Sequence, residues 1–221
     1  MHAFQNAGGH VLLSARPYPI NSNTAIMAGS VVKLSGGLVV QAAAAETGPI
    51  LGIAAETHTG VEDMLDLRSN GEEILVYDNP ELIFECAAPE LPAGAGGSAT
   101  TLVPNGLAAG LANDALNGGK VQLVSRAAAS ENTDAINEVR PITDYTASGT
   151  VITLPKGGTP TAGDVYCIYP PVGSAICALD STAQCLVLTA TGATKIKVVG
   201  HDIIRRRLRC MAVEHSLGVE N

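Results

Sequence analysis

Short apolar runs separated by glycine, proline, asparagine or aspartate recur along the whole chain, and this punctuation restricts the fold more than any other feature. Gly occurs 24 times and Pro 12 times in 221 residues. Glycine permits the positive φ of tight turns, and proline interrupts both helices and central strands. Few stretches are therefore suited to an amphipathic helix, whereas many suit a short strand. The pattern predicts an all-β fold.

Residues 1–86 are predicted to form a first β-rich lobe, shaped as a small barrel or sandwich. Gly36-Gly37 suits a two-residue hairpin turn, because both glycines accept positive φ at little cost. Asp78–Glu81 is predicted to close a second hairpin, since Asn favours a turn and Pro fixes φ. The predicted strands of this lobe are His10–Ala15, Ser30–Leu34, Leu38–Gln41, Ile50–Ala54, Glu73–Tyr77 and Leu82–Cys86.

Residues 120–221 are predicted to form a second β-rich lobe of the same kind. The segment Asn132–Val139 is the one short helix that the pattern allows there. The predicted strands are Lys120–Ser125, Thr150–Leu154, Val165–Tyr169, Ala175–Leu179, Cys185–Thr189, Lys195–Val199 and Arg207–Val213.

Residues 87–119 lie between the two predicted lobes and are rich in Gly, Ala and Pro. The run Ala87–Ser98 contains too much Gly and Pro for a strand or a stable helix. A loop of this length is unusual inside a compact domain and is often functional. We expect an extended arm that is ordered mainly by contacts with other chains.

The composition disfavours several classes of partner. Aromatic residues make up only 3% of the chain and Trp is absent, which disfavours sites that stack sugars or bases. The net charge of −8 disfavours nucleic acid as the partner of the whole surface. No apolar stretch is long enough to span a bilayer, and the first residues do not resemble a signal peptide, so we expect no membrane partner.

The cysteines are odd in number and never form a CxxC pair. Three interpretations stay open: small buried side chains in a reducing compartment, an interchain disulfide, and a catalytic thiol. The residues concerned are Cys86, Cys167, Cys177, Cys185 and Cys210.

Motifs for catalysis or cofactor binding are incomplete. Residues 94–99 fit a dinucleotide fingerprint by letters, but no strand precedes them and no helix follows. Residues 118–120 resemble the end of a P-loop, yet Val121 stands where a Ser or Thr would hold magnesium. Residues 66–71 resemble part of a calcium loop, but Arg68 occupies a ligand position. The histidines lack metal-binding spacing. We expect no enzyme activity, cofactor or metal ion.

A cluster of arginines is the one concentrated signal for an interaction. Six of the 13 basic residues, but only three of the 21 acidic ones, lie in residues 195–221. In strand geometry Arg205, Arg207 and Arg209 share a face, and Arg206 points with the apolar residues. Like charges so close together favour exposure to water or to a partner's carboxylates. The cluster is either a solvated strand end or a docking stripe for an acidic protein.

Three segments resemble head-decoration and related virion proteins of tailed bacteriophages: Ala28–Gly37 (AGSVVKLSGG), Gly48–Ala54 (GPILGIA) and Thr161–Tyr166 (TAGDVY). The resemblance implies a small β domain that sits on the capsid surface, often as a trimer, and reinforces the joints between major capsid subunits. It therefore implies a homo-oligomer in the virion, made in the host cytoplasm and bound to the major capsid protein.

Two other functions stay open at this point. One is a receptor-binding or tail-associated virion module, for which exposed aromatic patches would be the sign. The other is a hydrolase with a cysteine nucleophile, for which one hyper-reactive thiol would be the sign.

Overall fold

The computed structural model describes residues 2–6, 14–44, 46, 48–60, 72–107, 110–179, 186–188 and 196–213. All regular structure in these residues is β-strand, which confirms the predicted all-β class. The strands are β1 His2–Asn6, β2 Ala15–Pro19, β3 Ala25–Ile26, β4 Val31–Ser35, β5 Leu38–Gln41, β6 Gly52–Ala54, β7 His58–Thr59, β8 Glu73–Tyr77, β9 Leu82–Ala87, β10 Glu90–Pro92, β11 Thr101–Leu102, β12 Lys120–Ser125, β13 Val139–Pro141, β14 Asp144–Thr146, β15 Val151–Thr153, β16 Val165–Tyr169, β17 Cys177–Leu179, β18 Leu186–Leu188, β19 Ile196–Asp202 and β20 Arg207–Ala212.

The described strands form five antiparallel sheets. Most predicted strands are present with ends shifted by one or two residues, and residues 10–13 of the predicted strand His10–Ala15 lie outside the described part. The orders are β1-β9-β20-β19-β17-β18, β10-β16-β12-β13, β11-β15-β14, β2-β8-β6-β4-β5 and β3-β7.

The five-stranded sheet contributes to two hydrophobic clusters, one on each face. Val31 and Ile53 pack into the larger cluster, whereas their neighbours Val32 and Ala54 pack into the smaller one. This follows from the two-residue period of a strand, which points successive side chains to opposite faces. A bridge between Ile20 and Val39 brings the two edges of the sheet together at one end without closing a barrel.

The hairpin predicted at Gly36-Gly37 is confirmed. Strands β4 and β5 pair with Ser35 opposite Leu38, so the two glycines form the whole connection. Their φ angles are 58° and 86°, the left-handed region required of both central residues in a type I′ turn.

The hairpin predicted at Asp78–Glu81 is wrong, although both of its strands are present. Strand β8 pairs with β2 and β6, and β9 pairs with β1 and β20, so neither strand has an edge free for the other. The connection instead carries the chain from one sheet to another. Asp78 fixes this corner from inside: it is buried and accepts a 2.6 Å hydrogen bond from the Tyr18 hydroxyl.

Residues 87–119 pack extensively against the rest of the chain. They include β10 and β11, which pair with β16 and β15. Five of their side chains are buried in the larger cluster: Ala88, Ala93, Leu102, Leu111 and Leu116. These residues are therefore ordered by contacts within the chain, whereas contacts with other chains were expected.

The short helix predicted at Asn132–Val139 is wrong. The segment is an irregular loop that ends where β13 begins, and Asn137 has a φ of 69°. Asn132 and Asp134 are buried and hydrogen-bonded to Asp164 and Gly158 in other loops. Those tertiary bonds replace the local ladder that a helix would supply.

Leu208 lies at the centre of the larger cluster, on β20 opposite Cys86 of β9, and has no exposed surface. We expect Leu208→Ala to lower the free energy of unfolding by about 2–5 kcal/mol, because a buried cavity replaces the side chain. Val172→Ala is the control, since Val172 is 59% exposed. Urea unfolding of both variants measures the difference, and equal stabilities would contradict this placement of the core.

Candidate interaction surface

The arginine cluster lies on and beside a tight turn between β19 and β20, which we call the arginine turn (residues 202–209). Strand β20 begins at Arg207, as predicted, so Arg205 and Arg206 lie in the turn and the strand geometry used to assign their faces does not apply to them. Arg206 has a φ of 54°, a conformation uncommon for residues other than Gly, Asn and Asp. Within β20 the predicted alternation holds: Arg207 and Arg209 are on the outer face, and Leu208 is buried.

Three of the arginines pair with carboxylates of the same chain. Arg205 Nε lies 4.0 Å from Asp202 Oδ2, Arg206 Nη1 lies 3.0 Å from Glu90 Oε1, and Arg209 Nε lies 3.3 Å from Glu85 Oε1. No ion pair joins Arg207 to a residue that the structure describes. Part of the positive charge is therefore balanced within the molecule, which sequence reasoning did not anticipate.

The guanidinium groups lie further out than most of their partners. The Arg205 side chain is 72% exposed against 18% for Asp202, and Arg209 is 37% exposed against 13% for Glu85. Arg206 and Glu90 are about equally exposed. At Arg205 and Arg209 the turn consequently presents hydrogen-bond donors to its surroundings, with the paired carboxylates more deeply buried.

Backbone hydrogen bonds hold the arginine turn in one conformation. Arg205 N donates to Asp202 Oδ1 at 3.0 Å, and Arg206 N donates to the Ile203 carbonyl at 3.3 Å. Ala88 N donates to the Arg206 carbonyl at 3.0 Å and ties the turn to the end of β9. These bonds account for the left-handed residue, because the surrounding structure over-determines its conformation.

A buried tyrosine supports the turn from below. The Tyr169 hydroxyl donates to Gln122 Oε1 at 2.6 Å and lies 3.4 Å from the Ile203 carbonyl. Burial raises the pKa of Tyr169, so the phenol stays protonated. His201 packs beside it and contacts the Pro170 carbonyl through Nε2 at 2.7 Å. Burial lowers the pKa of His201, so its Nε2 proton belongs to a neutral imidazole that donates to that carbonyl.

Ile204 lies at the tip of the turn and is 95% exposed. The sequence pattern did not single it out, because an isoleucine next to a strand end is ordinarily a core residue. The available signal was an aliphatic pair directly before an arginine run at the end of a strand. Ile203 packs against the core, which leaves Ile204 outside.

A second polar cluster lies inside the molecule and joins the loops around residues 126–134 and 157–164. Asp164 has no exposed surface and accepts hydrogen bonds from Ala127 N, Thr161 N, Ser130 Oγ and Asn132 Nδ2 at 2.8–3.0 Å. Burial alone would raise the pKa of Asp164, but these four donors outweigh it and hold the pKa below its ordinary value. The carboxylate therefore serves as an ionised anchor for the loops.

Asp134 and Arg140 form a buried ion pair beside this anchor, with 3.1 Å between Oδ2 and Nη1. Arg140 also donates to the Ala99 carbonyl, and Gly158 N donates to Asp134. A side chain at residue 158 would overlap the amide of Asn132, so the loops approach as closely as they do because glycine stands there. Every charged group is satisfied internally, which is typical of structural networks.

The thiols of the four described cysteines are buried. Cys86 and Cys210 lie 4.0 Å apart between their sulfur atoms. Burial raises the pKa of Cys167 to about 11 and that of Cys177 to about 12, and the neighbouring Cys86 thiol and burial raise the pKa of Cys210. Thiols in this state are protonated at neutral pH and are weak nucleophiles. Cys185 lies outside the described residues.

An apolar cleft separates the five-stranded sheet from β9 and β20. It is lined by residues that include Ile50, Pro80, Leu82 and Phe84. Its volume of about 10 Å³ is at the lower limit for a single water molecule. It is too small for an organic ligand.

The structure shows where the remaining sequence motifs lie. Residues 94–99 lie in the loop between β10 and β11, with no helix after them to receive a pyrophosphate. The calcium-like residues 66–71 lie outside the described part. The described residues contain no cluster of three His, Cys, Asp or Glu placed to hold a metal ion, and no helix there could cross a membrane.

Comparisons of the chain with protein-family models, with curated proteins and with solved structures find no match.

The free energy of unfolding should fall in acid, because the buried Asp164 carboxylate then becomes protonated. Its pKa is lower in the folded chain than the ordinary value of 3.8, so its contribution is present above that value and is lost as the pH falls through the folded pKa. We expect Asp164→Asn to cost roughly 3 kcal/mol at pH 7, because donors to the carboxylate lose their acceptor, and to cost less once the pH has fallen through the folded pKa.

Glu131→Gln is the matched control for this test, since it removes a charge from an exposed position in the same loop. It should change stability by less than about 0.5 kcal/mol. Urea unfolding across pH 2–7 gives both curves, and an unchanged cost of Asp164→Asn at every pH would contradict the assigned role.

The burial of the thiols predicts that they react slowly in the folded protein. Cys86, Cys167, Cys177 and Cys210 should react with iodoacetamide at pH 7.5 only after the chain is unfolded, because the reagent cannot reach them in the folded chain. Mass spectrometry of peptides from native and urea-treated protein identifies the modified residues. Rapid labelling of any of these four thiols in the native protein would show that its surroundings are open.

Proposed function

We propose that the protein is a structural component of a virus particle, a capsid decoration protein that binds the outer surface of the capsid. The partners in this proposal are the major capsid protein and further copies of the chain itself, with a trimer as the expected assembly. No cofactor takes part. The arginine turn supplies the contact with the capsid.

The observation that carries the proposal is the outward placement of guanidinium groups on a rigid turn. Arg205 is far more exposed than its partner Asp202, and the backbone on either side is fixed by hydrogen bonds. Since these donors project from an otherwise acidic chain, they suit carboxylates on another protein. A preorganised turn also loses little conformational entropy when it binds.

The mechanism in this proposal is mechanical. A decoration protein that contacts two adjacent subunits makes their separation expose additional interface. A stable contact of this kind buries about 1,200–2,000 Å² in total. A compact all-β scaffold suits the role, because it holds its surface loops in fixed relative positions. The resemblance of residues 28–37, 48–54 and 161–166 to head-decoration proteins supports the same function.

The test is to locate the chain in purified particles of the virus that encodes it. We expect many copies on the capsid surface by electron microscopy, and lower heat resistance in particles that lack the chain. A few copies at the tail would support the receptor-binding or tail-associated alternative. Absence from the particles would overturn the proposal.

Arg205 and Arg207 have the least ion pairing with the described residues of the chain, so neutralising them should weaken attachment of the protein to the capsid. We expect Arg205→Gln combined with Arg207→Gln to reduce capsid occupancy at low salt, with each exposed pair contributing about 0–1 kcal/mol and the difference fading as salt rises. Lys156→Gln removes a charge at another exposed position and is the control. Equal occupancy of the double variant and the control at every salt concentration would exclude this turn as the contact.

A further inference from the structure

Charge complementarity between the arginine turn and a partner does not explain why the Ile204 side chain is exposed. It is 95% exposed, whereas Met27 and Val172, the next most exposed large apolar side chains in the part of the chain that the structure describes, are at 63% and 59%. A single exposed aliphatic residue on a surface is ordinary. Ile204 differs because the backbone beside it is held by hydrogen bonds and because three arginines follow it directly in the chain.

The backbone around Ile204 is fixed by three hydrogen bonds. Their donors are Arg205 N, Arg206 N and Ala88 N, and their acceptors are the Asp202 carboxylate and the carbonyls of Ile203 and Arg206. The Tyr169 hydroxyl also lies 3.4 Å from the Ile203 carbonyl. The strained φ of Arg206 is maintained by the same contacts. An exposed apolar side chain on a strained and rigid turn meets the requirements of an anchor that enters a partner without first being ordered.

The chemistry beside Ile204 indicates what the partner surface contains. An aliphatic group gains free energy by leaving water for an apolar socket. The neighbouring Arg205 guanidinium, 72% exposed, matches a carboxylate on the rim of such a socket. Nucleic acid fits less well, because no aromatic side chain lies in the turn to stack on a base. An anionic bilayer fits less well, because it is negative throughout and its headgroups would repel the half-exposed Glu90 carboxylate beside Arg206 in the same surface.

We propose that Ile204 is the anchoring side chain of the capsid contact, and that its partner is a protein surface with an apolar socket and a carboxylate on the rim. This rests on the proposed function. Ile204 supplies affinity through burial, and Arg205 supplies orientation and a salt-dependent increase in association rate. Aliphatic burial is insensitive to salt, so the two contributions are separable by experiment.

The experiment measures binding of the purified chain to particles assembled without it. Ile204→Ser should weaken binding about tenfold or more at both 50 mM and 500 mM salt, as expected for loss of a buried aliphatic group. Ile204→Leu should stay within about threefold of the unaltered chain, because it restores a similar volume. Arg205→Glu should weaken binding at 50 mM salt and much less at 500 mM.

Controls separate the possible failures. Val172→Ser changes another exposed aliphatic residue and should bind like the unaltered chain, and unchanged thermal unfolding shows that each variant is folded. If the unaltered chain binds and Ile204→Ser binds equally well, the anchor is excluded while the decoration function stands. If the unaltered chain does not bind particles, the proposed function itself fails. Capture of the chain, but not of Ile204→Ser, by phosphatidylserine vesicles would overturn the assignment of a protein partner.

Discussion

Pairing between β9 and β20 is the contact on which the rest of the molecule depends. It places Cys86 opposite Leu208 and Glu85 opposite Arg209, so segments more than a hundred residues apart become neighbours. Leu82, Phe84 and Cys86 then join Leu208 and Cys210 in the larger hydrophobic cluster. The same pairing brings Ala88 and Glu90 beneath the arginine turn, where they hold its backbone and one guanidinium group. The proposed interaction surface is therefore a product of the central sheet junction.

Polar groups complete the core where side chains are small. With few aromatic residues, the irregular loops around residues 126–134 and 157–164 have little apolar surface to bury. Asp164 and the Asp134–Arg140 pair join these loops instead, through charge-assisted hydrogen bonds inside the molecule. Such bonds are directional, so they specify one arrangement of the loops where aliphatic packing alone would allow several. The same residue types serve two different purposes in this chain. In the buried cluster the charged groups are paired inside the molecule, whereas in the arginine turn they are presented to the surroundings.

Local features of the fold were predictable from the sequence, and the long-range ones were not. Alternation and turn residues predicted β5, β8 and β12 to the residue, since these signals act within a few positions. Nothing local indicates that β8 and β9 belong to different sheets, because the choice depends on which strands occupy their edges.

At the interaction surface, the outward direction of Arg207 and Arg209 could be predicted from the two-residue period of a strand. The turn that contains Arg205 did not, because Arg206 adopts a left-handed conformation that its residue type does not signal. The partners Glu85 and Glu90 are too distant in sequence for any spacing rule to find.

Because β9 and β20 lie far apart along the chain, they are synthesised at different times. A ribosome adding about 5–20 residues per second produces β9 several seconds or more before β20. During that interval Leu82, Phe84 and Cys86, all nearly inaccessible in the finished protein, lack the strand that covers them. Non-local pairing of this kind also closes slowly, because a long loop must lose its entropy before the contact stabilises it. The nascent chain thus passes through a stage in which β9 lacks this neighbour, and β20, the last of the described strands to be synthesised, is the strand that carries Arg207 and Arg209. Completion of the core and presentation of these two arginines on the finished sheet are consequently the same step.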